Sequence, residues 1–214
     1  MSVGADWAEA WIRRGAADIA LHRAALNTLD RDIGDGDHGE NMDRGFQAAL
    51  PKLGALPDSA TPAEVFKLLA TTLISTVGGA AGPLYGTAFL KGATSITGLT
   101  ELDGNGIVTF LTAARDGIVL RGKAESGDKT MVDAWTPAVD AASAANGAGA
   151  DPVEILARAA DAALAGAVAT EPWVARKGRA SYLGERAIGH RDPGAESTAL
   201  LLRAAADAAI QASS

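Results

Sequence analysis

The sequence contains no cysteine, so disulfide bonds, thiolate metal sites and a cysteine nucleophile are all excluded. Valine and isoleucine are sparse, and no run alternates apolar and polar residues in the manner of a strand. A basic surplus is also lacking, since 19 Lys and Arg face 26 Asp and Glu, for a net charge of −7. This balance argues against a general nucleic-acid or anionic-membrane surface, so a polyanionic ligand must be met locally by a metal or a small basic patch.

Signals for secretion and for a membrane span are missing as well. The first ten residues carry neither the basic nor the apolar region of a signal peptide. The uncharged run at 68–90 is long enough to raise the question of a membrane span, but Gly-Gly-Ala-Ala-Gly-Pro at 78–83 breaks it in the middle. A helix, a turn and a second helix fit this run better. Because a chain without cysteine is compatible with a reducing cytosol, we expect a cytoplasmic protein.

What the sequence does contain is abundant alanine and a helical period. With 48% hydrophobic residues, 214 residues can bury one core of ordinary size, which predicts a single domain over 1–214. Apolar residues recur at spacings of three and four, which predicts an all-α fold. Eight helices are expected, running from about 4–26, 41–50, 61–77, 84–96, 103–118, 128–139, 151–168 and 195–211.

Start signals and buried stripes can be assigned to several of these helices. Thr61 with Pro62 and Asp151 with Pro152 each combine a cap with proline at the first helical position, and Asp128 is expected to cap the sixth helix. The third helix is predicted to bury Val65, Phe66, Leu69, Leu73 and Val77. The seventh is predicted to bury Val153, Leu156, Ala160, Leu164 and Val168.

An acidic, glycine-rich stretch at 29–42 is the strongest candidate for chemistry. Four aspartates and three glycines fall within residues 30–39. Asp30, Asp35 and Asp37 would repel one another if they converged without a counter-ion, and a divalent cation removes that penalty. The helix start that follows, at 38–41, favours phosphate. The combination predicts a metal and phosphate site, and three carboxylates suggest a pair of magnesium ions. A solvated acidic turn is the alternative. Asp32 is expected to face water.

Two other interpretations of the motifs fail, one on spacing and one on residue type and context. A twelve-residue calcium loop starting at Asp30 or at Asp35 would end at Asn41 or Phe46, where that loop needs glutamate. The run at 117–123 approaches a Walker phosphate loop but is followed by Ala124 instead of Ser or Thr, with no preceding strand.

Two further segments can be interpreted either as ligand-binding elements or as ordinary turns and loops. Residues 78–82, Gly-Gly-Ala-Ala-Gly, can present backbone N–H groups to an anion or can form an ordinary turn between helices. Residues 171–194 form a long irregular segment with five basic and three acidic residues. Its charge of +2 leaves −9 on the remainder of the chain, so it is either a solvated loop or a lid over an anionic ligand.

Several motifs follow one another over nearly the whole chain. They are LD and IGDGDHG at 29–30 and 33–39, NM at 41–42, GGAAGPLYG at 78–86, GDKTMVD at 127–133, and GRASYLGER and GHRDPGA at 178–186 and 189–195. Together they resemble the nucleotide-binding L subunit of dihydroxyacetone kinases. The resemblance implies a closed barrel of eight antiparallel amphipathic helices with the nucleotide site at one end.

The resemblance also implies roles for individual residues. Asp30, Asp35 and Asp37 would hold two magnesium ions that bridge the phosphates of ADP or ATP. The residues placed around the nucleotide are His38, Gly39, Glu40 through its backbone, Asn41, Gly79, Ala80, Gly122, Met131, Arg179, Asp192, Pro193 and Gly194. Ala81 departs from the family, which often has serine there, so a hydroxyl contact near the phosphates is missing while the backbone donors remain.

The family transfers a phosphoryl group to dihydroxyacetone or a related short ketose held on a histidine of a separate K subunit. This chain would then bind and orient the nucleotide, with Lys177 and Arg179 as candidate catalytic cations. Two versions share these motifs: ADP is retained and rephosphorylated by a phosphotransferase-system protein, which we favour, or ATP is consumed. The resemblance leaves a homodimer open. A nucleotide-sensing module that contacts a regulator is the alternative from another class.

Overall fold

The computed structural model describes residues 1–212, and over this range the chain forms eight α-helices, as predicted. The helices are α1 Ala5–Ile33, α2 His38–Leu53, α3 Pro62–Thr76, α4 Ala81–Ser95, α5 Gly104–Gly122, α6 Val132–Gly147, α7 Pro152–Ala169 and α8 Pro193–Ala212. A 3₁₀ segment, Arg179–Ala187, lies between α7 and α8. The extended pairing among the described residues is one antiparallel bridge between Val3 and Leu102. The predicted all-α class is confirmed.

The helices form a closed ring. Each helix packs against the next one in the chain, and α8 packs against α1. The C-terminal end of α1 and the N-terminal ends of α2, α4, α6 and α8 all line one cleft. Neighbouring helices therefore alternate in direction around the ring, as short connections between packed helices require.

The end of the ring opposite this cleft is filled by aromatic side chains. Trp11, Phe66, Phe89 and Phe110 all contact one another, and Trp7 contacts Trp11 and Phe66. The closest ring centroids, those of Phe66 and Phe110, are 4.5 Å apart. The indole N–H groups of Trp7 and Trp11 donate to the carbonyls of Ala205 and Leu201 on α8, at 3.0 and 2.6 Å. The buried indoles are thus hydrogen-bonded as well as packed, which ties the start of α1 to α8.

Helix caps differ between the two ends of the ring. At the aromatic end, α3, α5 and α7 begin at Thr61, Asp103 and Asp151, and each of these side chains accepts a backbone N–H of its own helix. At the cleft end, the cap residues of α2, α4 and α6 accept no such bond. The first N–H groups of a helix need partners from outside it, and no cap side chain supplies one at the start of α4, so α4 is the helix start at the cleft end that is open to a ligand.

Some predicted boundaries were wrong. Helix α1 continues to Ile33, so Asp30 and Asp32 stand on the helix and not in the loop. Helix α6 begins at Val132 after Met131, and Asp128 is not its cap. The Asp128 carboxylate instead accepts the N–H of Glu125 at 2.8 Å, because the loop between α5 and α6 folds back on itself there.

The predicted stripe of α7 was also wrong in part. Leu164 and Val168 are 46% and 42% exposed. The face that packs against α6 and α8 is made instead by Ile155, Leu156, Ala159, Ala160, Ala163 and Ala167. Because α6 and α8 both pack against this face, four of its six buried positions are alanine, and the larger Leu164 and Val168 lie outside it. The α3 stripe, in contrast, is buried from Val65 to Val77 as predicted.

The uncharged run at 68–90 is divided between α3 and α4, with a turn from Val77 to Ala80. Within residues 1–212, no helix combines the length and the apolar character that crossing a membrane requires.

Close approach of small residues gives a test of this packing. A Cβ added at Gly166 on α7 would lie 2.1 Å from the carbonyl oxygen of Asp133 on α6. We expect Gly166→Ala to lower the free energy of unfolding by about 1–3 kcal/mol, since overpacking a tight contact forces the helices apart. Gly147→Ala is the matched control, because a Cβ at Gly147 meets nothing within 4 Å. Equal unfolding midpoints for the two variants in urea would contradict the close contact.

Candidate functional site

The cleft at the open end of the ring has a volume of about 810 Å³, counting its mouth. It brings together most of the residues that the sequence predicted for the site. Those that line it are Asp30, Asp35, Asp37, His38, Asn41, Gly79, Ala80, Met131, Lys177, Arg179, Asp192, Pro193 and Gly194. Gly122 lies in the adjoining groove, which Met131 also lines.

Two predicted nucleotide neighbours do not line the cleft. A Cβ at Gly39 would lie 2.2 Å from the carbonyl oxygen of Arg23, so Gly39 serves the close packing of α2 on α1. The Glu40 side chain is exposed, and its backbone N–H donates to the Asn27 side chain at 3.1 Å. Both residues therefore join α2 to α1.

The acidic loop is organised by Asp30. Its Oδ2 accepts the N–H groups of Asp37 and His38, at 2.9 and 3.1 Å, and so closes the loop onto the end of α1. A Cβ at Gly34 would lie 2.2 Å from Asp30 Oδ1, which explains the glycine. Asp30, Asp35 and Asp37 each place a carboxylate oxygen within 4.8 Å of the others. An all-oxygen set of this kind fits a hard divalent cation.

Asp32 lies apart from this cluster. Its Oδ2 is 3.2 Å from His190 Nδ1, and the side chain is 40% exposed. The expectation that Asp32 faces water is thus met only in part, because it also connects α1 to the segment before α8. The Asp32 carboxylate therefore contacts His190 and is not one of the three convergent carboxylates.

The start of α4 forms one wall of the cleft. The backbone at Gly79 has φ +65°, a left-handed conformation that favours glycine, and a Cβ there would meet nothing within 4 Å. Ala80 is the cap position of α4 and offers no side-chain acceptor, so N–H groups of the first turn are left for a ligand. Ala81, which stands where serine is frequent in the family, is 8% exposed.

Asn41 is oriented by a residue that the sequence did not reveal. The guanidinium of Arg44 donates to Asn41 Oδ1 and to the carbonyl of Thr76 at the end of α3. Because a guanidinium only donates, this contact assigns the oxygen of the amide to Arg44 and leaves its NH₂ group for the cleft. Arg44 lies one helical turn after Asn41, which is the only sequence signal for the pair.

His38 is held by a buried hydroxyl network. Its Nε2 lies 2.9 Å from Ser197 Oγ, which in turn lies 2.7 Å from the Tyr85 hydroxyl. Thr198 Oγ1 is 2.8 Å from the same hydroxyl, and the carbonyl of Gly194 accepts from the network. Burial lowers the pKa of His38 to about 4, so the imidazole is neutral near pH 7. His38 thus acts as a neutral hydrogen-bonding wall and not as a cation.

Asp192 is a half-buried acid that immediately precedes α8. Its Oδ2 accepts the N–H of Ala195 at 2.7 Å, and its own N–H donates to Thr170 Oγ1 at 3.0 Å. Burial raises the pKa of Asp192 to about 7, with the carboxylates of Asp133 and Asp30 adding to the effect. This residue caps α8 within the described chain, and Pro193 and Gly194 follow it along the cleft.

The segment between α7 and α8 is anchored and lies across the mouth of the cleft. Ala175, Ala180 and Ala187 pack with Ile33 in a small second core, so the segment is anchored although most of its residues are exposed. The Nη2 of Arg179 is 2.9 Å from Asp35 Oδ2, while the Arg179 side chain is 66% exposed. A pair this exposed contributes little to stability, so Arg179 is free to exchange Asp35 for an anionic ligand.

Fold and site together define a class: an all-helical domain with three convergent carboxylates, the open start of α4 and a basic segment at one end. The DAK2 domain family matches the chain over residues 32–207, and the chain belongs to this family. The predicted resemblance to nucleotide-binding L subunits is confirmed by its relatives.

Two bacterial relatives match along nearly their whole length. The chain is 42% identical to the ADP-binding subunit DhaL of PEP-dependent dihydroxyacetone kinase 1 from Listeria innocua, over 95% of this chain and 96% of that protein. It is 41% identical to the ADP-binding subunit DhaL of the PEP-dependent dihydroxyacetone kinase from Escherichia coli K12, over 93% and 94%.

A solved structure has the same fold. The dihydroxyacetone kinase from C. freundii, in complex with AMP-PNP and Mg²⁺, aligns with a TM-score of 0.71 at 27% identity. The alignment covers 93% of this chain and 33% of the C. freundii chain, so our protein corresponds to about one third of that kinase.

The carboxylate cluster generates a direct prediction. We expect Asp35→Asn to weaken magnesium-dependent nucleotide binding by about tenfold or more, because one charged contact to the metal is lost. Helical content measured by circular dichroism should be unchanged, since Asp35 lies in the loop. Asp32→Asn is the matched control, and calorimetric titration with Mg-ADP should give an affinity near that of the original protein. Unchanged binding in Asp35→Asn would remove the ligand assignment.

Proposed function

We propose that this chain is the nucleotide-binding subunit of a dihydroxyacetone-type kinase. It positions a magnesium-bound nucleotide for phosphoryl transfer to dihydroxyacetone, or a related short ketose, held on a separate K subunit. The observation that carries the proposal is the meeting of Asp30, Asp35 and Asp37 with the open start of α4 and with Arg179 in one cleft. The names of the bacterial relatives give the same activity and the same nucleotide.

The residues present fit a metal and a polyphosphate. Two magnesium ions held by the three aspartates would neutralise the phosphate oxygens. Asp30 is fixed in advance by its two backbone donors, so its carboxylate needs little reorganisation on binding. The first turn of α4 supplies N–H groups to the phosphates, and the neutral His38 and the Asn41 amide add hydrogen-bonding groups without charge.

Catalysis in this proposal depends on positioning and on charge. Phosphoryl transfer passes through a transition state with charge spread over the phosphoryl oxygens, and a nucleophile from this chain is not needed. Arg179 and Lys177 are both exposed at the mouth, where the transferred group must leave the cleft. Their cations would stabilise the developing charge while the ketose approaches from the partner subunit.

We favour the version in which ADP stays bound and is rephosphorylated by a phosphotransferase-system protein in the cytoplasm. The Listeria and E. coli relatives are named as ADP-binding subunits of PEP-dependent kinases and match over nearly their full length. Consumption of ATP as the donor is the second candidate. The likeness to the C. freundii kinase, which is in complex with an ATP analogue, favours it.

The nucleotide that accompanies the purified protein separates the two versions. We expect ADP in a ratio near one per chain, with slow exchange against labelled ADP. Transfer to dihydroxyacetone should then require the K subunit, phosphoenolpyruvate and the phosphocarrier proteins, whereas the ATP version needs only ATP and the K subunit. Absence of nucleotide affinity even with magnesium would contradict the kinase proposal altogether.

Arg179 gives a kinetic prediction. We expect Arg179→Ala to lower kcat by about 100-fold or more, since a cation at the transferred group acts mainly in the transition state. The affinity for Mg-nucleotide should change much less, because the aspartates and the α4 turn remain. Arg186→Ala, an exposed arginine of the same segment, is the control and should leave kcat near its original value. Equal losses in the two variants would show that Arg179 has no special role.

A further inference from the structure

Lys129 is the buried charge that the proposed function does not use. It lies in the loop between α5 and α6, is only 1% exposed, and has φ +63°. Left-handed backbone is costly for a residue other than glycine, and burying an ammonium is costly unless it is paired. Two unfavourable features at one position require a compensating set of contacts. The sequence marked this residue only as part of the GDKTMVD motif.

The compensation comes from backbone carbonyls of the segment across the cleft mouth. Lys129 Nζ donates to the carbonyls of Ala187, Trp173 and Glu171, at 2.6, 3.0 and 3.4 Å. An ammonium has three donors, and these three acceptors occupy them all. The preceding carbonyl, that of Asp128, accepts the N–H of Arg176 at 3.0 Å.

The three acceptors lie on both limbs of the segment. Glu171 and Trp173 belong to the limb that leaves α7, whereas Ala187 ends the 3₁₀ segment that returns toward α8. The residues between them include Lys177 and Arg179, the exposed cations at the cleft mouth. Lys129 therefore joins the base of a loop whose tip carries these cations.

We propose that Lys129 is a positioning residue that clamps the base of the segment 171–187 and, through it, holds Arg179 over the carboxylate cluster. Lys129 also lines the cleft, but a direct bond to a phosphate would require it to give up one of its three carbonyl partners. The role assigned to Lys129 depends on the proposed kinase function only in the experiment that measures phosphoryl transfer. The clamp itself is a property of the folded chain.

The first experiment measures the segment directly. In Lys129→Met, trypsin cleavage at Arg176, Lys177, Arg179 and Arg186 should become faster by roughly tenfold or more, because the segment opens without unfolding the ring. Lys123→Met is the matched control, since Lys123 also has positive φ, at +51°, but is exposed. Its cleavage rate within 171–191, followed by mass spectrometry, should equal that of the original protein. Equal rates in both variants would overturn the clamp.

The second experiment tests the connection to Arg179 with a double-mutant cycle. Lys129→Met should lower kcat with little change in the affinity for Mg-nucleotide, and it should lower kcat little further in an Arg179→Ala background. Additive losses would mean that Lys129 acts independently of Arg179, which contradicts the proposal. Lys129→Arg, which keeps a charged donor, should restore part of the protection and part of kcat.

Two precautions keep the outcomes distinct. If Lys129→Met does not fold, Lys129→Gln retains an uncharged amide group with two N–H donors in place of three, and the same faster cleavage is expected of it. If the original protein shows no phosphoryl transfer, the proposed function fails, while the trypsin measurement still decides whether Lys129 clamps the segment.

Discussion

The alternation of helix direction around a closed ring is the constraint on which the site depends. Because neighbours run in opposite directions, α2, α4, α6 and α8 all start at the same end, where the end of α1 also lies. Each helix start concentrates partial positive charge, so this end attracts anions before any side chain is considered. Carboxylates of the chain itself partly satisfy this end: Asp30 accepts two backbone N–H groups there, and Asp192 accepts one. Asp35 and Asp37 are exposed and add negative charge beyond that which the helix starts offset. This excess negative charge favours the binding of a divalent cation.

The two ends of the ring are specialised in complementary ways. The far end is closed by side-chain caps such as Thr61 and by a core of mutually packed aromatic rings, including Phe66 and Phe110. The aromatic packing and the side-chain caps thus lie away from the cleft, whereas Lys129, with its left-handed backbone and buried charge, lies at the cleft end. A rigid aromatic end permits an active end that carries unpaired donors and repelling carboxylates.

Local patterns predicted what depends on neighbours in sequence, and little of what depends on contacts across the ring. The helical period and the cap at Thr61 gave α3 and its buried stripe, and the spacing of Asp30, Asp35 and Asp37 gave the carboxylate cluster. The stripe of α7 was misplaced because alanine is buried there for its small size, which hydrophobicity does not reveal. The contact of His38 with Ser197 joins residues 159 positions apart. Lys129 meets carbonyl oxygens, which every residue has, so no side-chain pattern could identify its partners.

The distribution of charge explains how an acidic chain can receive a polyphosphate. The segment 171–194 carries five basic and three acidic residues, and Arg191 is paired with Glu171 and Glu196 near its ends. These pairs fasten the limbs and leave Lys177 and Arg179 at the tip as the cations that face the mouth. The remaining surface, with a charge of −9, repels polyanions elsewhere, so an anionic ligand is attracted to one end of the ring only. If the segment were loosened, these cations would move away from the three aspartates. The anchoring of the base of the segment therefore fixes the position of Lys177 and Arg179 at the cleft. Arg179 becomes available to an anionic ligand when it releases Asp35.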